Sequence, residues 1–165
     1  LRDRFGIISK LQSYTVDELT QIVKRTSRVL ESPIEEEAAR ELACRSRGTP
    51  RIANRLFKRV RDFAIVEGKG SIDLEITKYA LDKLKVDRLG LDDTDYHLLR
   101  SIIEKFNGGP VGIEAIASSI GEEVTTIEDV YEPYLLQIGL LKRTSRGRIA
   151  TKMAYDHLNI PFIQK

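Results

Sequence analysis

The stretch Gly48-Thr49-Pro50-Arg51-Ile52-Ala53-Asn54-Arg55 decides how the first half of this chain folds. Glycine often follows the last turn of a helix, and threonine caps helix N-termini. Proline suits the first helical position because its missing N–H would have no partner there. We therefore expect one helix to close at Gly48 and the next to begin at Pro50. Arg51 then lies in the first turn, where its guanidinium can project toward an anionic ligand.

The helix that begins at Pro50 is basic on one side. It carries no acid before Asp62, and Arg51, Arg55 and Arg59 recur every four residues, which places them on one face. The opposite stripe is predicted to face a core and consists of Ala53, Leu56, Phe57, Val60 and Phe63. The arginine row indicates either a phosphate-facing surface or an ordinary solvated face.

Periodicity predicts three more helices around this one. The first follows Thr15, which forms a capping box with Glu18, and it ends near residues 31–33. The second runs from about Ile34 to Arg47 with glutamates in its first turn; the basic helix extends to about residue 67, and a fourth covers residues 74–85. The buried side of the first helix is expected to carry Leu19, Ile22, Val23, Val29 and Leu30, and the fourth offers Leu74, Tyr79, Ala80, Leu81 and Leu84 for packing. Together they indicate a compact four-helix bundle.

The second half shows the pattern of a winged helix, which is three helices followed by a β-hairpin. Helices are predicted over residues 94–106, 113–120 and 126–138, and strands over 140–144 and 148–151. A turn at residues 145–147 joins the strands, and Gly147 suits it because glycine permits tight turning. The fold class is therefore mainly α: a four-helix bundle, then a winged helix with a β-hairpin wing.

Charge also separates the two halves. Residues 1–86 hold 18 Lys and Arg against 13 Asp and Glu, whereas residues 87–165 hold 9 against 12. The periodicity lapses over residues 86–93, where glycine and acids cluster. We therefore expect a domain boundary at residues 86 and 87.

The wing carries a local basic patch. Residues 133–155 contain no acid and include Lys142, Arg143, Arg146, Arg148 and Lys152. The third helix of this half instead carries Glu128, Asp129 and Glu132, which would repel DNA phosphates. We therefore expect Arg143, Arg146 and Arg148, with Lys142 secondary, to contact DNA without reading its sequence. The alternative is a hairpin whose cations serve solubility.

Residues 48–56, followed by Arg59-Val60-Arg61-Asp62-Phe63-Ala64, resemble the sensor-2 helix of the RuvB family, AAA+ ATPases that drive bacterial Holliday-junction branch migration. The resemblance implies that residues 15–86 are the lid domain and that Arg51, with Pro50 beside it, contacts the ATP phosphates. Tyr14, at the hinge before the lid, is implied as a further nucleotide contact. The hairpin is similar to the family's DNA-contacting element, so residues 87–165 are expected to form the DNA-binding head.

The amino end, Leu1-Arg2-Asp3-Arg4-Phe5-Gly6-Ile7, is similar to the family segment that carries an arginine finger. Residues 1–14 are then the end of the large ATPase domain. Arg4 is the first candidate for the finger and Arg2 the second, and the sequence does not separate them. A planar, permanently charged guanidinium suits phosphoryl transfer because it offsets developing phosphate charge.

The motifs that cradle nucleotide phosphates are absent from the chain. No Gly-x-x-x-x-Gly-Lys-Ser/Thr occurs, and no apolar strand ends in paired acids. We therefore expect the carboxy-terminal half of a longer motor that uses ATP with Mg²⁺, with no tight nucleotide binding or ATP hydrolysis by this chain alone. The resemblance implies these partners: the double-stranded arms of a Holliday junction, RuvA, RuvC in a larger assembly, and further copies in a homohexamer.

Other residues favour simpler interpretations. The lone Cys44 excludes an intramolecular disulfide and is expected to be a small core residue in a reducing bacterial cytoplasm. His97 and His157 are expected to be packing or surface residues, and no metal site is expected. Asp92, Asp93 and Asp95 favour helix capping. No run of 18 apolar residues indicates a membrane span.

Two other functions fit the same pattern. One is a stand-alone winged-helix transcription regulator that reads base sequence, which the acidic third helix disfavours. The other is a non-enzymatic assembly module in which the helical bundle only mediates association.

Overall fold

The computed structural model describes residues 13–164, which form two compact units divided after Gly90. Within residues 13–90 the helices are α1 (Val16–Val29), α2 (Glu36–Cys44), α3 (Pro50–Val66) and α4 (Leu74–Lys83). The second unit begins with α5 (Asp93–Arg100), which continues as a π-helical turn, Ser101–Lys105. The remaining elements are α6 (Ile113–Ile120), α7 (Val124–Thr126), a π-helical turn (Ile127–Tyr131), α8 (Glu132–Gln137), β1 (Leu141–Thr144), β2 (Gly147–Ala150) and α9 (Lys152–His157). The predicted fold class, a helical bundle followed by a winged helix, is confirmed.

Side-chain caps form at the starts of α1 and α5, where the sequence predicts capping. Thr15 and Glu18 form a reciprocal capping box at α1, each accepting from the other's backbone N–H at 3.1 Å. Asp92 and Asp95 form the same motif at α5. Each cap satisfies amide donors that a helix N-terminus otherwise leaves unpaired.

The core of the first unit surrounds α3. Phe57 and Val60 are fully buried there, and α1, α2 and α4 pack against them. The prediction that Val29 lies on the buried side of α1 is wrong, because Val29 is 72% exposed. Tyr79 is 46% exposed, and its ring packs edge-on against that of Phe63, with the ring centroids 6.1 Å apart. The reason for both exposures is helix orientation, because α1 turns Leu19 and Val23 inward and α4 turns Ile76, Thr77, Ala80 and Leu81 inward.

The second helix starts later than predicted. Ile34 is not helical but forms a parallel bridge with Ile72, and Ile72 N–H donates to the carbonyl of Pro33 at 2.8 Å. Helix α2 therefore begins at Glu36. Its inward face consists of Ala38, Ala39, Leu42 and Ala43, which leaves Cys44 exposed, so the prediction of a core cysteine is wrong.

The wing is a hairpin with a short third partner. Strands β1 and β2 pair antiparallel in a register that sets Leu141 opposite Ala150 and Thr144 opposite Gly147. The turn is therefore Ser145 and Arg146 alone, not residues 145–147. Val111 bridges the other edge of β2 through two backbone hydrogen bonds with Arg148, at 3.0 and 2.8 Å. Gly147 is required there because a Cβ on it would collide with the Val111 carbonyl.

Candidate functional site

The turn between α2 and α3 positions Arg51. Helix α2 ends at Cys44, before the predicted end at Arg47. Arg47 and Gly48 then adopt left-handed backbone angles, with φ of 56° and 69°, and reverse the chain before α3. Thr49 is the N-cap and Pro50 is the first helical residue, as predicted. The Thr49 hydroxyl does not cap the helix, however; it donates to the Arg47 carbonyl at 3.2 Å. The amides of the first turn of α3 therefore lack a side-chain cap.

Arg51 is exposed in this first turn. Within residues 13–164 no ion pair or hydrogen bond engages its guanidinium, and the same holds for Arg55 one turn later. The α3 face opposite the core thus presents cations that no described acid neutralises. Asn54, beside them, accepts a hydrogen bond from Thr26 of α1 at 2.6 Å and fixes this end of α3 in the bundle.

Tyr14 lies beside the same turn. Its backbone N–H donates to the Gly48 carbonyl at 3.0 Å, and its side chain is 46% exposed. The fold therefore brings Tyr14, Pro50 and Arg51 to one end of α3, although Pro50 lies 36 positions after Tyr14 in the sequence. Arg2 and Arg4 lie outside the described residues.

The exposed cations of the wing are Lys142, Arg143 and Arg146. Arg143 and Arg146 line an open cleft of about 390 Å³ between the hairpin and the start of α6. Arg146 lies in the two-residue turn, so its side chain is at the tip of the hairpin. These cations are available to a polyanion.

Arg148 is not one of the exposed cations of the wing. It is only 8% exposed, and its guanidinium donates to the Glu132 carboxylate from Nε at 2.8 Å and from Nη2 at 3.2 Å. Nη2 also lies 4.0 Å from Glu128 Oε1. Arg148 was expected to contact DNA; in the structure its guanidinium is engaged instead by the acids of the preceding helix.

Glu132 also bridges the two strands. Arg143 and Arg148 are directly opposite in the hairpin register, so their side chains share one face. Glu132 Oε1 lies 3.6 Å from Arg143 Nη1, and the Glu132 residue is 3% exposed. Its negative charge therefore relieves repulsion between two like charges.

The sequence analysis treated Glu132 only as an acid that repels DNA and did not predict its pairing with Arg148, although the sequence contains a signal for that pairing. A two-residue turn at residues 145 and 146 makes Arg143 and Arg148 a facing pair, and such a pair needs an anion nearby. Glu128 and Glu132 are four residues apart and therefore lie on one helix face. Residues 124–137 also contain no Lys or Arg, so this helix offers no cation to DNA.

Among residues 13–164 no group of three or more His, Cys, Asp or Glu side chains could hold a metal ion. His157 Nε2 lies 3.2 Å from the Tyr96 hydroxyl, and His97 is exposed. None of the described helices combines the length and the apolar character needed to cross a membrane.

Comparison with known proteins covers both units. Residues 14–87 match the RuvB AAA lid domain, and residues 88–159 match the RuvB C-terminal winged helix domain. Among solved structures, the chain is similar to the Thermotoga maritima RuvB Holliday junction branch migration motor, with 50% identity and a TM-score of 0.94. A variant of that protein matches at 49% identity with the same TM-score. The alignment covers 98% of this chain and 54% of each of those chains, so the chain spans about half the length of these relatives.

Proposed function

The chain belongs to the RuvB family, and we propose from that premise that it is the nucleotide-sensing lid and DNA-contacting head of an ATP-driven motor that moves Holliday junctions. The observation that carries the proposal is the free guanidinium of Arg51 in the first turn of α3, with Tyr14 attached to the turn before it. The rest of the motor, including the residues that cradle ATP phosphates and Mg²⁺, is supplied by sequence outside this chain.

Arg51 is the proposed contact to the ATP phosphates, with Pro50 and Tyr14 beside it. The site fits an anion because the guanidinium is exposed, has no partner among residues 13–164, and lies at a helix N-terminus whose amides carry partial positive charge. ATP hydrolysis supplies the free energy of the cycle. Because a phosphate contact favours one lid orientation over others, its loss after hydrolysis would shift that preference.

The wing is the proposed DNA contact. Lys142, Arg143 and Arg146 are exposed and can neutralise backbone phosphates, which carry no base sequence. Contact of this kind suits a motor that must move along arbitrary sequence. Arg148 is not part of the proposed contact, because Glu132 already holds its charge.

The proposed assembly is a homohexamer that works with RuvA on junction arms and with RuvC in a larger complex. Its support is the similarity to the Thermotoga branch migration motor. Within the hexamer, Arg4 is the proposed arginine finger toward a neighbouring subunit's nucleotide, and Arg2 is the alternative. The chain by itself is proposed to hydrolyse no ATP.

The deciding experiment uses the complete protein with a synthetic four-way junction. ATP-dependent conversion of the junction into two duplexes, measured with labelled strands, is expected for the wild type and not with a non-hydrolysable ATP analogue. Normal binding to one preferred duplex sequence, without any ATP-dependent conversion, would favour the transcription regulator instead. ATP turnover that is insensitive to Arg51 would favour the assembly module.

A further inference from the structure

Three segments of the first unit meet at the turn formed by residues 45–50. The segment that leads into α1 attaches to it through Tyr14 N–H and the Gly48 carbonyl, 3.0 Å apart. The segment that leaves α4 attaches through Arg45, whose Nη1 donates to the Val86 carbonyl at 2.9 Å. Helix α3, with Arg51 in its first turn, starts directly after the turn. The turn therefore contacts the segment before α1 and the segment after α4, and it leads directly into the helix that carries Arg51.

Arg45 makes the bond to the outgoing segment, and its side chain is held in one position. The residue is 9% exposed, and Glu41, one turn earlier on α2, accepts from its Nε at 2.9 Å and lies 2.8 Å from its Nη2. Glu41 alone would satisfy a simple ion pair. The remaining nitrogen, Nη1, reaches a backbone carbonyl 41 residues later in the chain. A buried, forked guanidinium of this kind holds its partners with little freedom.

The contact continues to the end of the unit at Gly90. A Cβ on Gly90 would lie 2.7 Å from the Arg45 carbonyl oxygen and 3.0 Å from Arg47 Cγ, and its φ is +80°. Both facts require glycine there. The outgoing segment therefore follows the turn from Val86 to Gly90, and Leu91, the next residue, is the first of the winged-helix unit.

Backbone hydrogen bonds link the turn to the first turn of α3. Thr49 N–H donates to the Ser46 carbonyl at 3.0 Å, and Ala53 N–H donates to the Thr49 carbonyl at 3.0 Å. Ser46 is fully buried. A shift at the start of α3 is therefore expected to displace the turn with it.

We propose that Arg45 is a positioning residue that couples the phosphate contact of Arg51 to the segment leading into the winged-helix unit. The inference rests on the proposed function. Arg45 touches neither nucleotide nor DNA. It holds residues 86–90 against the turn. A nucleotide-dependent shift of α3 then displaces residues 86–90, which lead into the winged-helix unit.

The test uses the complete protein and measures three quantities: ATP hydrolysis, DNA binding without nucleotide, and junctions converted per ATP hydrolysed. Arg45→Met keeps the length of the side chain and removes its hydrogen bonds. It is expected to hydrolyse ATP and bind DNA near wild-type levels but to convert about tenfold fewer junctions per ATP, an ordinary size for allosteric coupling. Arg45→Lys, which can hold Glu41 or Val86 but not both, is expected to rescue part of the loss.

The matched control is Arg40→Ala on the same helix. Arg40 is exposed and pairs with Asp17 at 2.9 Å, so its removal is expected to leave all three quantities unchanged. A second variant, Gly90→Ala, disturbs the same contact from the other side without touching the Arg45 side chain. It is expected to reduce the number of junctions converted per ATP as Arg45→Met does. If Arg45→Met fails to fold, Gly90→Ala tests the coupling role in its place.

The outcomes separate the inference from the proposed function. Wild-type yields per ATP in Arg45→Met, or in Gly90→Ala where the methionine variant does not fold, would overturn the coupling role. So would a loss in the total number of junctions converted that is matched by an equal loss of ATP hydrolysis, because the yield per ATP is then unchanged. If instead Arg51→Ala left ATP hydrolysis intact, or the wild type converted no junctions, the proposed function would fail irrespective of Arg45.

Discussion

The guanidinium of Arg148 donates two hydrogen bonds, at 2.8 and 3.2 Å, to the carboxylate of Glu132, and both residues are buried. This pair fastens strand β2 to helix α8. It also divides the arginines of the wing by role: Arg148 holds the hairpin in place, whereas Arg143 and Arg146 remain exposed. The exposed basic patch of the wing therefore contains fewer cations than the sequence alone suggests.

Removing Arg148 is expected to destabilise the winged-helix unit. Arg148→Ala leaves the Glu132 carboxylate buried without its main partner, which costs about 3–5 kcal/mol. Urea denaturation of the 165-residue chain measures the effect. Arg146→Ala, on the exposed turn, is the control and should change stability by less than about 0.5 kcal/mol. Equal stability of the two variants would contradict the structural role of Arg148.

Removing the exposed arginines is expected to weaken DNA binding instead. The double substitution Arg143→Ala and Arg146→Ala should lower affinity equally for unrelated duplexes, because phosphates rather than bases are contacted. It should also reduce the slope of log affinity against log salt concentration by about 2. Titrations at several salt concentrations measure this, with Lys78→Ala, an exposed cation on α4, as the control. A loss confined to one sequence would argue for base readout.

Arg51→Ala is expected to impair the complete protein in ATP turnover. Loss of a charge-assisted hydrogen bond to phosphate, worth about 1.5–3 kcal/mol, corresponds to a reduction of roughly ten- to a hundredfold. Arg55→Ala removes an equally exposed cation one turn later on the same face and should have little effect. Steady-state ATPase assays on both variants decide the matter. Similar losses in both would indicate a general effect of the basic face rather than a phosphate contact.

Asp73 is expected to make the free energy of unfolding of the lid decrease at acidic pH. The backbone N–H of Ile76, and then the Lys69 ammonium, lower the pKa of the Asp73 carboxyl below its ordinary value of 3.8. The stabilisation is therefore complete above that value and is lost as pH falls through the lowered pKa of the folded state. Asp73→Asn keeps an N-cap acceptor but does not titrate, so its stability should fall less steeply below pH 4.

The comparison for Asp73 is with alanine. Asp73→Ala loses the cap to Ile76 N–H, which is 2.8 Å from the carboxylate, and should cost about 1 kcal/mol at neutral pH. Thermal denaturation as a function of pH measures all three proteins. Identical acid dependence in the wild type and the asparagine variant would show that Asp73 contributes nothing to it.

The arginine finger is tested by mixing subunits. If Arg4 acts on the nucleotide of a neighbouring subunit, complete protein carrying Arg4→Ala should regain ATPase activity when mixed with a subunit that cannot bind ATP but retains Arg4. Arg2→Ala is the matched comparison, and the variant with the larger loss and the larger rescue identifies the finger. Failure of both variants to be rescued would contradict action between subunits.

Local patterns in the sequence were enough to predict most of the helices and the starts of α1, α3 and α5. The capping boxes at Thr15 and Asp92, and Pro50 as the first residue of α3, depend on interactions within a few residues, which the sequence displays directly. The winged-helix pattern is also local, because its helices and hairpin follow one another in order. The start of α2 was misplaced because Ile34 forms a parallel bridge with Ile72, 38 positions away, through hydrogen bonds of Pro33 and Glu35 to Ile72.

The sequence by itself determined the two folded units, their helices, and which cations occur near the turn before α3 and in the wing. Only the tertiary structure decided which of those cations are free. Arg148 and Arg146 are both arginines of one hairpin, yet one is buried by Glu132 and the other is exposed. Likewise, only the fold brought Arg45 to Val86. Ion pairs between distant segments depend on how helices pack, and that packing sums many weak contacts across the chain rather than following from spacing along it.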